Sequence, residues 1–462
     1  MNNKNRETFR SSFDSIQRVI NQSRHSAGAV TAKSLHPTLE SLNPGMDAVF
    51  DSISKPGFEV AKPDADEYAI QKPIREWFGK HGINTGRIGA HPDFAHIEGT
   101  DEILNHHITT VFIDIKNSTR LSLRYDLEKV REIKNAILRT ASEAVRAFDG
   151  HVHRFMGDAL MAYFGGINQD RESACMAAIN CAAMLRLLMD ESIGPSLQHQ
   201  GIDPTDIGFR VGIDYGGDDD VLWSSYGYSD VSEVTATSFF VDAAAKLQSM
   251  ASKDSAMLGN NIIKYLDLPE SLIEQKTEMR EGKPQPVIYL RPNYFLPNGS
   301  SHNYKIYELN FKKIVRLLPI PLEMRENLAT GTKYFSGIRF QAFIEDAQNV
   351  SEYKSLSYCV NKGSKIIFQI YIEAHSLNGL KLPLRGEWVR KNHGQEALDD
   401  NMGQDEHGKF NVIPNSANRG REPSKYTWYR NAKYRGIHTM EVCIYDNQNT
   451  LLFSDILGVH IR

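Results

Sequence analysis

Two aspartates close apolar runs. Asp114 ends Val111-Phe112-Ile113, and Asp158 follows Phe155-Met156-Gly157 and precedes a second apolar run, Ala159-Leu160-Met161-Ala162-Tyr163-Phe164. Taken singly, such aspartates are common turn formers. Taken together, they are hard oxygen ligands of the kind that hold Mg²⁺ or Mn²⁺. Neighbouring strands in one sheet would bring both carboxylates to one edge. Lys116, Asn117, Ser118 and Thr119 follow Asp114 and open a helix, whose free N–H groups can meet phosphate oxygens. Two metals about 4 Å apart could activate a ribose 3′-hydroxyl and hold the attacking and leaving oxygens of an in-line displacement at phosphorus. The expected chemistry is phosphoryl transfer from a nucleoside triphosphate with no protein nucleophile.

The elements that must position these residues follow from periodicity. Thr109–Ile115 reads as a strand and Arg120–Phe148 as a helix ended by Asp149-Gly150. His151–Gly166 reads as a hairpin with its tip at Met156-Gly157-Asp158. A helix over Arg171–Met189, a strand over Ile207–Gly217 and a helix over Ser238–Ala251 complete a β-α-β-β-α-β order. That order predicts an α+β, ferredoxin-like core with a helix and strand added beyond it. Residues 1–100 read as a helical lead-in, partly irregular, with a helix over Phe13–Ile20 and turns at Leu42-Asn43-Pro44-Gly45 and Ser54-Lys55-Pro56-Gly57. The core is expected over 101–300. Lys365–Glu373, Thr439–Tyr445 and Leu451–Ile461 read as strands of a separate β-rich domain over 301–462.

Composition narrows the partners. A net charge of −4 over 462 residues offers no basic field for a nucleic-acid backbone. Four widely spaced cysteines suggest neither a disulfide framework nor a zinc site, which fits a reduced cytoplasm. No run of 18 or more apolar residues and no signal peptide is visible, so no membrane is expected.

In their order, the strand-loop Phe112-Ile113-Asp114-Ile115 with Thr119, the hairpin Gly157-Asp158-Ala159-Leu160-Met161-Ala162-Tyr163-Phe164-Gly165 and the strand Val211-Gly212-Ile213 resemble the catalytic domain of class III adenylyl and guanylyl cyclases. The resemblance spans Thr109 to near Leu258. It implies two metal ions, Mn²⁺ or Mg²⁺, on Asp114 and Asp158, with the Ile115 carbonyl assisting, and triphosphate contacts from Lys116 to Thr119. It further implies a homodimer that builds each site from both subunits. Arg154 and Thr235 stand at base-reading positions, Asp242 at the transition-state asparagine and Lys246 at the transition-state arginine. The last two depart from the family pattern. Lysine can still neutralise charge on a pentavalent phosphate, although without arginine's planar fork.

Arg154 stands where adenylyl cyclases place lysine and guanylyl cyclases glutamate. A guanidinium offers parallel donors and no acceptor, which suits the adjacent acceptors of cytosine and the carbonyls of uracil better than adenine; guanine O6 and N7 would also satisfy it. A non-standard base reader joined to a β-rich tail resembles the bacterial pyrimidine cyclases of Pycsar anti-phage defence, and the tail, with Leu382–Trp388, Asn392–Ala397 and Tyr434–Asp446, resembles a sensor domain of prokaryotic second-messenger synthetases. By that resemblance the substrate is CTP or UTP, the product cyclic CMP or cyclic UMP, and a separate effector protein senses it. An adenylyl or guanylyl cyclase, or an inactive nucleotide-binding sensor, are the alternatives. Asp218-Asp219-Asp220 reads as a solvated loop, and His106, His107, His151 and His153 as histidines without a metal. Asp242 and Lys246, four apart on a helix, could also form a surface ion pair. Arg385-Gly386 and Arg435-Gly436 are as easily packed arginines before turn glycines as ligand residues.

Overall fold

The structure is a computed structural model that describes residues 2–31, 68–205, 207–228, 231–346, 349–413 and 424–462. The expected turns at 42–45 and 54–57 lie outside the described residues. Helices α1 (Asn2–Arg10) and α2 (Ser12–Thr31) open the chain, and α3 (Gln71–Trp77) follows. Phe9, Phe13 and Ile16 are fully buried in the same apolar cluster as the helices of the catalytic core. Each such side chain stabilises the fold by about 1.5–3 kcal/mol on burial. The lead-in is thus an integral layer of the core, and its helix runs well past the expected Ile20.

The catalytic sheet contains seven strands in the order β3-β4-β2-β5-β8-β12-β9. In chain order, β1 (Ile103–Asn105) and β2 (Ile108–Lys116) lead into α4 (Ser118–Arg124) and α5 (Leu127–Ala147), then the hairpin β3 (His151–Met156) and β4 (Ala159–Phe164), then α6 (Arg171–Leu188) and β5 (Gly208–Gly216). The inner order β5-β2-β4-β3 is antiparallel throughout, as a ferredoxin-like core requires. Strand β2 is central and apolar on both faces, so nearly all of it is buried. The expected helix over Arg120–Phe148 is two helices, because Tyr125 and Asp126 adopt extended ψ angles of 157° and 146° between α4 and α5. Helix α6 is apolar all round and belongs to the core. The segment Arg171–His199 matches a membrane span in length and composition, yet 83% of that window is buried inside the protein.

Beyond β5, β6 (Leu222–Tyr228) pairs with both β1 and β7 (Val231–Thr237) in a separate three-stranded sheet of order β1-β6-β7. Helix α7 (Phe239–Met250), β8 (Ser255–Gly259), α8 (Asn260–Leu266), β9 (Ile273–Glu274), the hairpin β10 (Thr277–Arg280) and β11 (Lys283–Pro286), and β12 (Ile306–Leu309) follow. The expected boundary at residue 300 falls inside this sheet: β12 pairs with both β8 and β9. Helix α9 (Phe311–Leu317) adds Ile314, Val315 and Leu317 to the same core.

The carboxy-terminal part is a two-sheet sandwich. One sheet orders β14 (Asn349–Tyr353), β13 (Ile338–Asp346), β16 (Lys365–Ile372) and β19 (Ser424–Asn431). The other orders β15 (Cys359–Val360), β21 (Leu451–Ile461), β20 (Gly436–Tyr445), β17 (Leu384–Asn392) and β18 (Glu406–Val412). Alternating side chains of β13, β16, β20 and β21 fill a second apolar core between them. The short helix α10 (Gln395–Asp399) leans toward the catalytic part, where the Gln395 N–H donates to Asp267 at 2.7 Å.

Candidate active site

Strand register brings the two aspartates together. Asp114 lies opposite Ala159 on β4 and Arg210 on β5, and Asp158 immediately precedes Ala159. Gly157 takes φ 69°, a left-handed angle that closes the hairpin tip without a Cβ penalty. The Ile115 N–H donates to the Asp158 carbonyl at 3.2 Å and ties that tip to β2. Asp114 is only 8% exposed, and its carboxylate accepts from Arg210 Nε at 2.8 Å and from Arg210 Nη2. Asp158 accepts from Ser118 Oγ, with Lys134 Nζ at 3.9 Å. Two carboxylates at adjacent positions, drawing in cations and a hydroxyl, form a donor set that fits a hard divalent metal.

Of the loop residues, Asn117 takes φ 60° and turns the chain into α4, Ser118 is buried against Asp158, and Thr119 is exposed. Lys116 ends β2. The sequence reading missed Arg210. Its signal is a charged residue inside the apolar strand Phe209-Arg210-Val211, opposite Asp114 in register.

Arg154 and Thr235 meet in a different place. They line one cavity of about 630 Å³ together with Gly89, Glu98, Tyr226 and Glu233. A β-bulge between Val152 and Arg154 inserts His153, so Val152 and His153 are both buried and Arg154 turns toward β7. There Arg154 Nη2 lies 2.5 Å from Glu233 Oε1 and 2.9 Å from His153 Nε2. His153 Nδ1 and His151 Nε2 both reach the Gly89 carbonyl, at 3.0 and 2.8 Å. Burial lowers the pKa of His153, whose Nε2 stands between Arg154 Nη2 and Glu233 Oε1. Thr235 Oγ1 lies 3.3 Å from the Tyr163 hydroxyl. Glu233 is the second residue that sequence reasoning missed.

Lys246 and Asp242 belong to neither cluster. Both are exposed on α7, and they form no ion pair with each other among the described residues. One chain therefore carries a pair of strand-end carboxylates, a separate cavity holding Arg154 and Thr235, and an exposed lysine.

The histidines differ from expectation. His107 Nδ1 lies 3.0 Å from Asp218 Oδ1, and Asp218 Oδ2 lies 2.8 Å from Arg171 Nη2. His106, His107 and Asp218 place ligand atoms within 4.8 Å of one another. His153 likewise has a carboxylate neighbour, Glu233, at 2.8 Å. Burial opposes ionisation of Asp218, but the bonds from His107 and the charge of Arg171 outweigh it and bring its pKa to about 2. Asp218 ties the end of β5 to the start of β2 while staying partly exposed, and Asp219 and Asp220 are exposed as a solvated loop requires.

The fold and the carboxylate pair define a class III nucleotide cyclase, and comparison with known proteins agrees. The family described as "Adenylate and Guanylate cyclase catalytic domain" matches residues 104–290, and "Adenylyl/Guanylyl and SMODS C-terminal sensor domain" matches 326–462. A cytidylate cyclase of Escherichia coli is 36% identical over 415 residues, 88% of this chain and 90% of its own length. One from Staphylococcus aureus is 32% identical over 395 residues, 84% of this chain and 86% of its own. The chain belongs to this family, the cytidylate cyclases. Among solved structures, the adenylyl cyclase CyaB of P. aeruginosa aligns with a TM-score of 0.36 and 20% identity over 45% of this chain and 95% of that one.

Proposed function

We propose that the protein converts CTP to 3′,5′-cyclic CMP and diphosphate at sites shared across a homodimer. The observation that carries the choice of base is the pair Glu233–Arg154, held at 2.5 Å in one cavity. A carboxylate beside a guanidinium presents an acceptor next to two donors. Cytosine presents the complement: the N4 amine donates, while N3 and O2 accept. Uracil places O4 against the carboxylate and an N3–H against the guanidinium, and both contacts repel. The names of the relatives point the same way.

At the metal half, Asp114 and Asp158 would hold two divalent ions, Mn²⁺ or Mg²⁺, with the Ile115 carbonyl assisting. When bound, the metals lower the pKa of the ribose 3′-hydroxyl and neutralise phosphate charge. Arg210, which donates to Asp114, would add positive charge beside a bound triphosphate. Lys116 to Thr119 would line the phosphates from the other side. Lys246, supplied by the second subunit, would offset the charge that develops on the α-phosphate. Asp242 would position the ribose or the phosphate from the same helix. Synthesis of a second messenger read by a separate effector protein in anti-phage defence is consistent with the family.

The purified protein, incubated with Mn²⁺ and each of ATP, GTP, CTP and UTP separately, should give cyclic CMP as the main product by chromatography and mass. A purine cyclic nucleotide as the main product would overturn the reading of the Glu233–Arg154 pair. No turnover with any of the four would favour the inactive-sensor alternative.

A further inference from the structure

The two sheets of the carboxy-terminal sandwich part at one end around a cavity of about 580 Å³, within the size range of small-molecule sites. Its walls come from both sheets: Lys365 and Phe368 on β16 and Arg430 on β19 face Arg390 on β17 and His438 on β20. Lys433 and Tyr434, in the turn that joins the sheets, close one side.

The polar groups of this cavity are incompletely satisfied. Arg390 and Arg430 share one carboxylate, Glu406, at 2.5 and 3.4 Å. One positive charge is therefore unmatched there. Arg430 also stacks over the Trp388 ring at 5.1 Å, which holds its guanidinium flat against the wall. The Nε atoms of both arginines are buried without a partner. Burial holds the pKa of Arg430 below its ordinary value and the Arg390 charge adds to this, while Glu406 pulls the other way. Across the cavity, His438 is 8% exposed and its Nε2 donates to the Tyr434 carbonyl at 2.7 Å. Its Nδ1 is buried and has no partner, so it is left as an acceptor. Tyr429 stands at the rim with its ring 61% exposed.

Two adjacent guanidiniums sharing one carboxylate ask for a planar or tetrahedral oxyanion. An orphaned imidazole acceptor asks for a hydroxyl or amine donor on the same ligand. An exposed ring at the mouth suits a stacked heterocycle. We propose that this cavity is a binding site for a phosphate-bearing metabolite of nucleotide size, its phosphate on Arg390 and Arg430 and a donor group on His438 Nδ1. This site is separate from the catalytic one and its occupancy does not depend on which base the cyclase reads.

The test is calorimetric titration of adenosine 5′-monophosphate into the full-length protein, with EDTA present to keep divalent ions from the catalytic aspartates. The expected result is saturable binding that Asp158→Ala leaves intact and that Arg390→Gln/Arg430→Gln weakens at least tenfold. Adenosine, which lacks the phosphate, should bind at least tenfold more weakly than the monophosphate. His438→Phe, which fills the same space without an acceptor, provides a second variant in case the arginine pair is needed for folding, and it too should weaken binding. Absence of binding to the wild type, equal binding by both cavity variants, or loss of binding in Asp158→Ala would each overturn the proposal.

Discussion

At the scale of single residues, the proposed choice of base rests on the contact between Arg154 and Glu233. A lone guanidinium has donors on every edge and accepts cytosine, uracil or guanine; the carboxylate beside it supplies the one acceptor that separates cytosine from uracil. Glu233→Gln keeps the size of the side chain but gives it a donor that can face uracil O4. A mismatched contact of this kind is worth about 1–3 kcal/mol, so the ratio of kcat/KM for CTP over UTP should fall roughly tenfold or more. An unchanged ratio would remove Glu233 from the pocket. Asp114 and Asp158 stand out in the sequence as candidates because each sits in its own short motif of strand and turn. Glu233 and Arg210 were not, because their partners are 79 and 96 residues away and only pairing of β5 with β2 and folding of the β6–β7 ribbon bring them together.

At the scale of elements, the β3–β4 hairpin carries residues of both proposed half-sites. Asp158 occupies its tip, while the bulge at His153 aims Arg154 at the β6–β7 ribbon four residues earlier. Lys246 stands on the exposed face of α7 and is proposed to act from the second subunit. A site that needs all three must draw on two chains. Asp158→Ala and Lys246→Ala homodimers should each be nearly inactive. Randomly mixed subunits should regain about a quarter of wild-type activity, since half of the dimers then hold one intact site. No recovery from confirmed mixed dimers would reject shared sites. The order of strands and helices in the core was legible from periodicity alone. The bulge was not, because Val152 and His153 read as alternating strand residues until burial of both shows the extra residue. The depth of the lead-in was equally hidden: Phe9, Phe13 and Ile16 carry a helical stripe, but no local signal names the surface that covers it.

At the scale of the whole molecule, the sandwich and the cyclase core are joined by apolar burial, with Leu356, Ile437 and Ile456 in the core cluster, and by polar contacts of particular residues. The Asn180 amide donates to the Leu356 carbonyl at 2.8 Å, and Ser173 Oγ accepts the Cys359 N–H at 2.9 Å. Arg435 reaches furthest: its Nη2 donates to the Tyr265 carbonyl at 2.6 Å and lies 3.5 Å from Glu172 at the start of α6. The Tyr265 ring stacks on Tyr215 of β5 at 4.1 Å, and β5 carries Arg210. Gly436, at φ 111°, lets the chain enter β20 directly after this clamp, so Arg435-Gly436 is an interdomain joint and not a ligand motif. Arg435 also adjoins Lys433 and Tyr434, which wall the sandwich cavity. Removing a charge-assisted hydrogen bond of this kind costs about 1.5–3 kcal/mol, or a fall of about 3–12 °C in Tm at the roughly 2–4 °C per kcal/mol found for units of 150–250 residues. Arg435→Ala should show that fall, faster hydrogen exchange in α8 and β5, and a kcat for CTP lowered more than its KM is changed. Arg435→Lys keeps the charge but not the reach to both acceptors, and should fall between the two. If Arg435→Ala melts as the wild type does and exchanges no faster in α8, the sandwich is held to the core by its other contacts and β5 is insulated from it.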